Sequence, residues 1–145
     1  MSETGWIDTH CHLDASEFDR DREGQRRLAQ DRGVAHCVIP AVERSNWSVV
    51  QALAHRHADV YALGIHPLYV DRAGPDDLTA LGLALQAHAS DPALVAVGEI
   101  GLDRFEGHPD FDHQLCCFRA QLKLAQAHDL PVILHVRRAV DSVLK

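Results

Sequence analysis

Two histidines stand two residues apart in the stretch Trp6-Ile7-Asp8-Thr9-His10-Cys11-His12-Leu13-Asp14. In an extended strand, residues i and i+2 project from one face, so His10 and His12 can present both imidazoles to a single ion. Neutral imidazole is the commonest protein ligand for zinc-like metals. Alone the pattern is weak, because a chain with 11 histidines makes such pairs by chance. Cys11 lies between them and points to the opposite face of a strand, so it is not expected as a ligand. Three further residues of ligand type, His66, Glu99 and His135, each follow or end an apolar run.

Those runs are the elements that must position the site. Residues 6–10 read as a first strand. Residues 17–32 are charged and helix-compatible, with Phe18, Leu28 and Ala29 as inward positions and Gly33 as a stop. Residues 34–40 are almost wholly apolar, as expected of a strand buried on both faces. Ser45 or Asn46 can cap a helix over 47–58. A third strand over 60–65 ends at His66-Pro67. Pro75 opens a helix to about residue 89 through Leu78, Leu81 and Leu85, and Asp91-Pro92 breaks it.

Residues 94–100 form the fourth strand, ending in Glu99-Ile100. A polar loop with Gly107 and Pro109 follows. A helix over about 112–128 then carries Leu115, Phe118, Leu122 and Ala125 as one apolar stripe. The fifth strand, 130–135, ends in His135, and residues 139–145 begin another helix. Alternating buried strands and amphipathic helices predict an α/β fold with a parallel sheet.

Four of these five predicted strands deliver His10 and His12, His66, Glu99 and His135 to their C-terminal ends, the rim at which (β/α)8 barrels build active sites. Three histidines and a carboxylate suit a borderline divalent metal. A glutamate can also bridge two ions roughly 3.5–4 Å apart, as in two-metal hydrolases. A second H-x-H, His55-Arg56-His57, serves as a contrast. On a helix, residues two apart diverge by about 200°, so these two are expected on a solvated face. His36, His88, His108, His113 and His128 read as surface or loop residues.

The bulk properties narrow the function. The chain has 145 residues, 46% hydrophobic and 24% charged, which fits one ordinary globular domain over residues 1–145. Fourteen basic against 21 acidic residues leave a formal charge of −7, against a broad electropositive face for non-specific DNA binding. Bound metal ions can still supply local positive charge to an anionic substrate. The N-terminus carries no secretory pattern and no run is long enough to span a bilayer. Cys11, Cys37, Cys116 and Cys117 lack C-x-x-C spacing and read as reduced thiols of a cytoplasmic protein.

Asp8-Thr9-His10-Cys11-His12-Leu13-Asp14, Gly64-Ile65-His66-Pro67, Gly98-Glu99-Ile100-Gly101-Leu102-Asp103 and Leu130-Pro131-Val132-Ile133-Leu134-His135 occur in that order, with Gln121-Leu122-Lys123-Leu124-Ala125 before the last. Together they resemble the TatD family of metal-dependent deoxyribonucleases, in the amidohydrolase superfamily of TIM barrels. The resemblance implies hydrolysis of phosphodiester bonds in DNA by a site with two divalent ions, drawn from zinc, manganese, magnesium, nickel and iron. It implies that His10 and His12 bind one ion, Glu99 bridges, and His135 binds the second. It also implies that His66 contacts substrate phosphate or water, and that Asp103 and Arg137 lie close to the site, supporting the ligands or contacting phosphate.

A (β/α)8 barrel takes about 250 residues. The expected fold is therefore a partial TIM barrel of about five strands that does not close, the N-terminal portion of a longer hydrolase. A later strand histidine and the late-strand aspartate that helps activate water in the family have no counterpart through residue 145. No catalytic residue is therefore assigned. The open edge is expected to invite self-association. Two rival readings stand beside the nuclease. One is a catalytically silent fragment. The other is a related hydrolase acting on another ester or amide, for example in aminoacyl-tRNA deacylation.

Overall fold

The computed structural model describes residues 5–105 and 110–145. Five strands, β1 (Trp6–Asp8), β2 (Val34–Pro40), β3 (Val60–Leu63), β4 (Leu94–Asp103) and β5 (Val132–Arg137), form one sheet in the order β1-β2-β3-β4-β5. Every neighbouring pair is parallel. The helices between them are α1 (Arg22–Asp31), α2 (Trp47–His57), α3 (Pro75–Ala87) and α4 (Phe111–Ala127), and a short α5 (Val140–Val143) follows β5. The sheet is an open half-barrel, as expected from parallel strands wound with crossover helices. The expected loop with Gly107 and Pro109, and His108 within it, lies outside the described residues.

Burial grades across the sheet. β4 is buried along nearly its whole length, as its Leu-Val-Ala-Val start predicts for a central strand. Its Val97, Ile100 and Leu102 join Ile39, Tyr61 and Leu63 in the core, where Val50 and Leu53 of α2, Leu81 and Leu85 of α3, and Phe118 of α4 pack. The edge strands differ. Trp6 and Ile7 of β1 are 78% and 59% exposed, and Leu134 and Val136 of β5 are 41% and 38% exposed. Among the described residues no helix is long and apolar enough to cross a membrane.

Several local expectations need correction. β1 ends at Asp8, so His10 and His12 sit on the segment after it rather than on the strand. Residues 17–32 divide into a 3-10 turn, Ser16–Phe18, and α1. Within α1 the inward residue is Arg26, whereas Leu28 is 49% exposed, because Arg26 finds a buried partner and Leu28 faces solvent. β2 is exposed at Ala35 and His36, since its N-terminal half pairs with the exposed β1. β4 and β5 extend beyond the expected ends at residues 100 and 135, pairing through Asp103↔Arg137. Residues 67–72, between the third strand and the helix opened by Pro75, form a 3-10 helix begun by Pro67.

The face α4 turns inward is the largest departure. Gln114 and Gln121 are buried with Cys117, Phe118 and Ala125, while Leu115 and Leu122 are only partly covered. Each glutamine satisfies a strand end that has run out of ladder partners. Ile65 donates its N–H to Gln121 Oε1 (2.7 Å) and its carbonyl accepts from Gln121 Nε2 (3.0 Å). Gln114 does the same for Asp103, at 2.8 and 3.0 Å. A buried backbone amide left unpaired is costly, so these two side chains complete the sheet where the neighbouring strand stops. They also fix the two residues, Ile65 and Asp103, that adjoin His66 and His135.

Candidate metal centre

Glu99 lies 5% exposed at the C-terminal end of the sheet. It is reached through a register shift in the β4–β5 pairing between Val97 and Ile100, the kind of irregularity that re-aims a side chain beside a site. Its N–H donates to the Ala41 carbonyl at 2.8 Å, beyond the end of β2. Two glycines permit this crowding. A Cβ on Gly64 would stand 2.8 Å from the Gly98 carbonyl carbon. Gly101 has φ +147, and a Cβ there would collide with the His135 carbonyl. The glycines of the Gly98-Glu99-Ile100-Gly101 stretch are therefore needed by the packing around the carboxylate.

One oxygen of Glu99 faces the first histidine pair. His10 Nε2 and His12 Nε2 lie 3.0 and 3.1 Å from Glu99 Oε2, and 3.2 Å from each other. Hydrogen bonding cannot satisfy this triangle. A carboxylate only accepts, so each Nε2 must carry a proton to bond it, and the two N–H groups then confront one another. A cation bound by deprotonated nitrogens removes the conflict. Bonds of about 2.0–2.1 Å to a tetrahedral ion place neighbouring donors on the order of 3.3 Å apart, the spacing seen here. His10 and His12 reach it from an irregular segment because Cys11 donates its N–H to the Val38 carbonyl of β2 (2.9 Å), which turns both rings inward.

The other oxygen faces His135 and His66. His135 Nδ1 is 3.2 Å from Glu99 Oε1, and His135 Nε2 is 2.9 Å from Asp103 Oδ2. Asp103 accepts the Nε2 proton, so when the metal-free ring gives up its second proton the lone pair is left on Nδ1 beside Glu99, the carboxylate–histidine arrangement that prepares a metal ligand. His66 behaves differently. Its Nδ1 accepts the Leu68 N–H at 3.1 Å, so its proton sits on Nε2, 3.7 Å from Glu99 Oε1. A neutral His66 is thus a donor into the site, and His10, His12 and His135 are the nitrogens ready to ligate.

The charges follow this layout. Burial alone would raise the Glu99 carboxyl, but hydrogen bonds from His12 and His135 hold it well below the usual carboxylate range. The hydrogen bond to Glu99 raises His12 and, with Asp103, raises His135. Burial pushes His66 down to about 4, keeping it neutral near pH 7. A cleft of about 870 Å3 opens over His10, His12 and His66.

Asp14 is a residue the sequence reading passed over. Its Oδ1 is buried, accepts no hydrogen bond among the described residues, and lies 4.0 Å from His12 Nδ1. The signal was its place as the last residue of the His10-x-His12 stretch. Arg137 makes no hydrogen bond to the imidazole cluster among the described residues, its guanidinium lying on the Phe105 ring. In the contrasting pair, His55 meets Asp91 at 2.8 Å and His57 meets Glu23 at 3.4 Å, so they diverge as the helical geometry requires. His57 is nonetheless largely covered rather than solvated, with an 11% exposed side chain.

Imidazoles around one buried carboxylate, at the C-terminal rim of a half-barrel of parallel strands, define a candidate metal site in a protein of barrel type. The chain belongs to the TatD family: the family model described as TatD related DNase matches residues 7–145. It is 42% identical over 139 residues to a protein of Escherichia coli named uncharacterized metal-dependent hydrolase YjjV, covering 95% of this chain and 53% of that one. It is 31% identical to a 3'-5' ssDNA/RNA exonuclease TatD of Erwinia tasmaniensis, covering 96% of this chain and 54% of that protein. The crystal structure of YjjV superposes with a TM-score of 0.89 over 95% of this chain and 53% of that one. A TatD family hydrolase of Entamoeba histolytica, 21% identical, shares the fold with a TM-score of 0.84 over 97% of this chain and 52% of that one. The chain spans about half the length of the curated relatives it matches.

Proposed function

We propose that this chain supplies the N-terminal portion of a metal-dependent phosphodiesterase site that hydrolyses single-stranded nucleic acid. The observation that carries the reading is Glu99, whose two oxygens face separate sets of imidazole nitrogens. The groups present would hold one divalent ion through His10, His12 and Glu99 Oε2, and offer His135 Nδ1 and Glu99 Oε1 towards a second. Ions bound there would polarise a phosphoryl oxygen and lower the pKa of a bound water towards about 7.

The chain's own residues do the rest. Asp103 holds His135 in its ligating tautomer. His66, kept neutral by burial, donates Nε2–H to a phosphoryl oxygen or water. Asp14 sets a negative charge beside His12. The nucleic-acid substrate is supported by the relatives named as ssDNA/RNA exonucleases and deoxyribonucleases.

The test is metal content after dialysis together with turnover of single-stranded DNA, aminoacyl-tRNA and small amides under one set of metal conditions. Glu99→Gln is expected to abolish both metal retention and DNA turnover while the melt is retained. Normal turnover in that variant sinks the reading, and faster turnover of tRNA ester or amide reassigns the substrate. A second reading, that these residues alone hold metal weakly and turn nothing over, is favoured by one observation. Glu99 Oε1 faces a single nitrogen in the ligating tautomer, so the second ion would lack donors. Substoichiometric metal and no turnover would support it.

A further inference from the structure

Beside the metal cluster lies a second group of side chains. At the ends of β4 and β5, Arg137 Cζ sits 3.8 Å from the centroid of the Phe105 ring and Arg138 Cζ 5.0 Å from the same centroid. Arg104 Cζ sits 3.8 Å from the centroid of Phe111. The chain carries a formal charge of −7, and Arg22, Arg26, Arg44, Arg56 and Arg72 each meet a carboxylate. Among the described residues, Arg104, Arg137 and Arg138 meet none; nor do Arg20, Arg27, Arg32 and Arg119, but those lie on no aromatic ring. A guanidinium lying on an aromatic face keeps its N–H edges available for bidentate contact with an anion. Arg104 and Arg138 line a groove of about 300 Å3, on which Asp141 is the carboxylate.

Two features tie this group to the site. Asp103, which accepts from His135 through Oδ2, accepts the Phe105 N–H through Oδ1 at 2.8 Å. One carboxylate therefore orients both the ligating histidine and the ring on which the arginines lie. The backbone is also shaped for it. Arg138 has φ 53, a left-handed conformation that non-glycine residues rarely adopt, and Arg104 donates its N–H to the Arg137 carbonyl at 2.9 Å. Arg137 follows His135 by two strand positions, about 7 Å at roughly 3.3 Å per residue. That is about two stacked nucleotides at roughly 3.4 Å of rise each.

We propose that Arg104, Arg137 and Arg138, held on Phe105 and Phe111, form a clamp for backbone phosphates of a single-stranded polynucleotide a nucleotide or two from the metal cluster. The proposal rests on the nucleic-acid reading above and sharpens it. The preferred substrate carries several phosphates. Its sequence is not read, because the arginines offer charge and N–H edges to phosphate while Arg137 already covers the ring.

The test is binding of a fluorescent oligothymidylate in EDTA, so that no metal and no turnover enter the readout. The chain is expected to bind with an affinity that falls steeply with salt. The Arg104→Gln/Arg138→Gln pair should weaken binding at least tenfold and flatten the slope of log K against log salt by about 0.7 per lost phosphate contact. Arg138→Lys, which keeps the charge but not the planar fork, should recover part of the loss, and Glu99→Gln should leave the arginine-dependent component in place. Unchanged affinity and slope in the double variant overturn the clamp, as does binding that only Glu99→Gln removes. Failure of the hydrolase reading shows separately, as absent turnover with this binding intact.

Discussion

The two ends of the sheet each bury a carboxylate, and they treat it in opposite ways. At the N-terminal end, Asp59 is 2% exposed and receives the Arg26 guanidinium at 2.6 and 2.7 Å, with the Cys37 N–H at 2.8 Å. Arg26 also donates to the Val34 and Ala35 carbonyls. Donors and acceptors match, and the network pins α1 to β2 and the start of β3. At the C-terminal end, Glu99 is surrounded by imidazole nitrogens whose protons cannot all be placed. A closed network is built for stability, and an unclosed one of the same burial is built to receive a cation. The division matches that of barrels, whose C-terminal rims carry chemistry.

The largest test breaks the closed end. Arg26→Met leaves Asp59 buried without its partner and is expected to cost about 3–5 kcal/mol of unfolding free energy in urea titration. Glu99→Gln should cost less than about 1 kcal/mol in the metal-free chain. Equal destabilisation by both variants would remove the contrast between the two ends.

Next comes the amide that holds β3 to α4. Gln121→Met leaves the Ile65 N–H and carbonyl unpaired, an expected loss of about 1–3 kcal/mol in the same assay. Binding of a phosphate-bearing substrate should weaken as well, since Ile65 carries His66, the N–H donor into the site. An unchanged melt would show that Ile65 finds other partners.

Asp103→Asn acts on the metal site with little effect on folding. The amide can present N–H to His135 Nε2 and drive the ring proton onto Nδ1, the ligating atom. Divalent-ion affinity, by isothermal titration, should fall about 10–100-fold, or roughly 1.4–2.7 kcal/mol. A full-affinity variant would mean that Asp103 serves only Phe105 and the strand end.

The smallest effect is in pH. His12 and His135 are raised above the ordinary 6.5 by Glu99, so their contribution to the metal-free fold is present below that value and fades as pH rises through the raised values. Glu99 is depressed below 4.5, so its contribution is present above that value and is lost in acid, as pH falls through the lowered one. Metal-free melting temperature should therefore decline modestly from pH 6 to 8. Metal binding needs neutral imidazole, so metal-dependent stabilisation should rise over the same range. Parallel trends with and without metal would place the titration elsewhere.

Much of this was legible in the chain. Apolar runs at regular spacing specify parallel strands, because a strand covered on both faces has few places for polar residues. His10, His12, His66, Glu99 and His135 could be grouped since each stood at a run's end, and register then brings strand ends together. The inward face of α4 was not legible. Gln114 and Gln121, seven residues apart, look like solvent residues until strand ends that need their amides are in view. Leu28 and Arg26 were exchanged for the same reason, since a buried arginine is recognisable only beside Asp59.

The sequence by itself determined the alternation of strands and helices, the glycines that admit close backbone approach, and the identity of the ligand-type side chains. These follow from local sterics and hydrophobic period, which act within a few residues. Only the tertiary structure decided which nitrogen each histidine turns inward, that Glu99 faces two sets of donors, and that three arginines lie on two phenylalanine rings beside them. Proton placement and charge depend on partners tens of residues away, such as Asp103 for His135 and the Leu68 N–H for His66, and folding sets those distances.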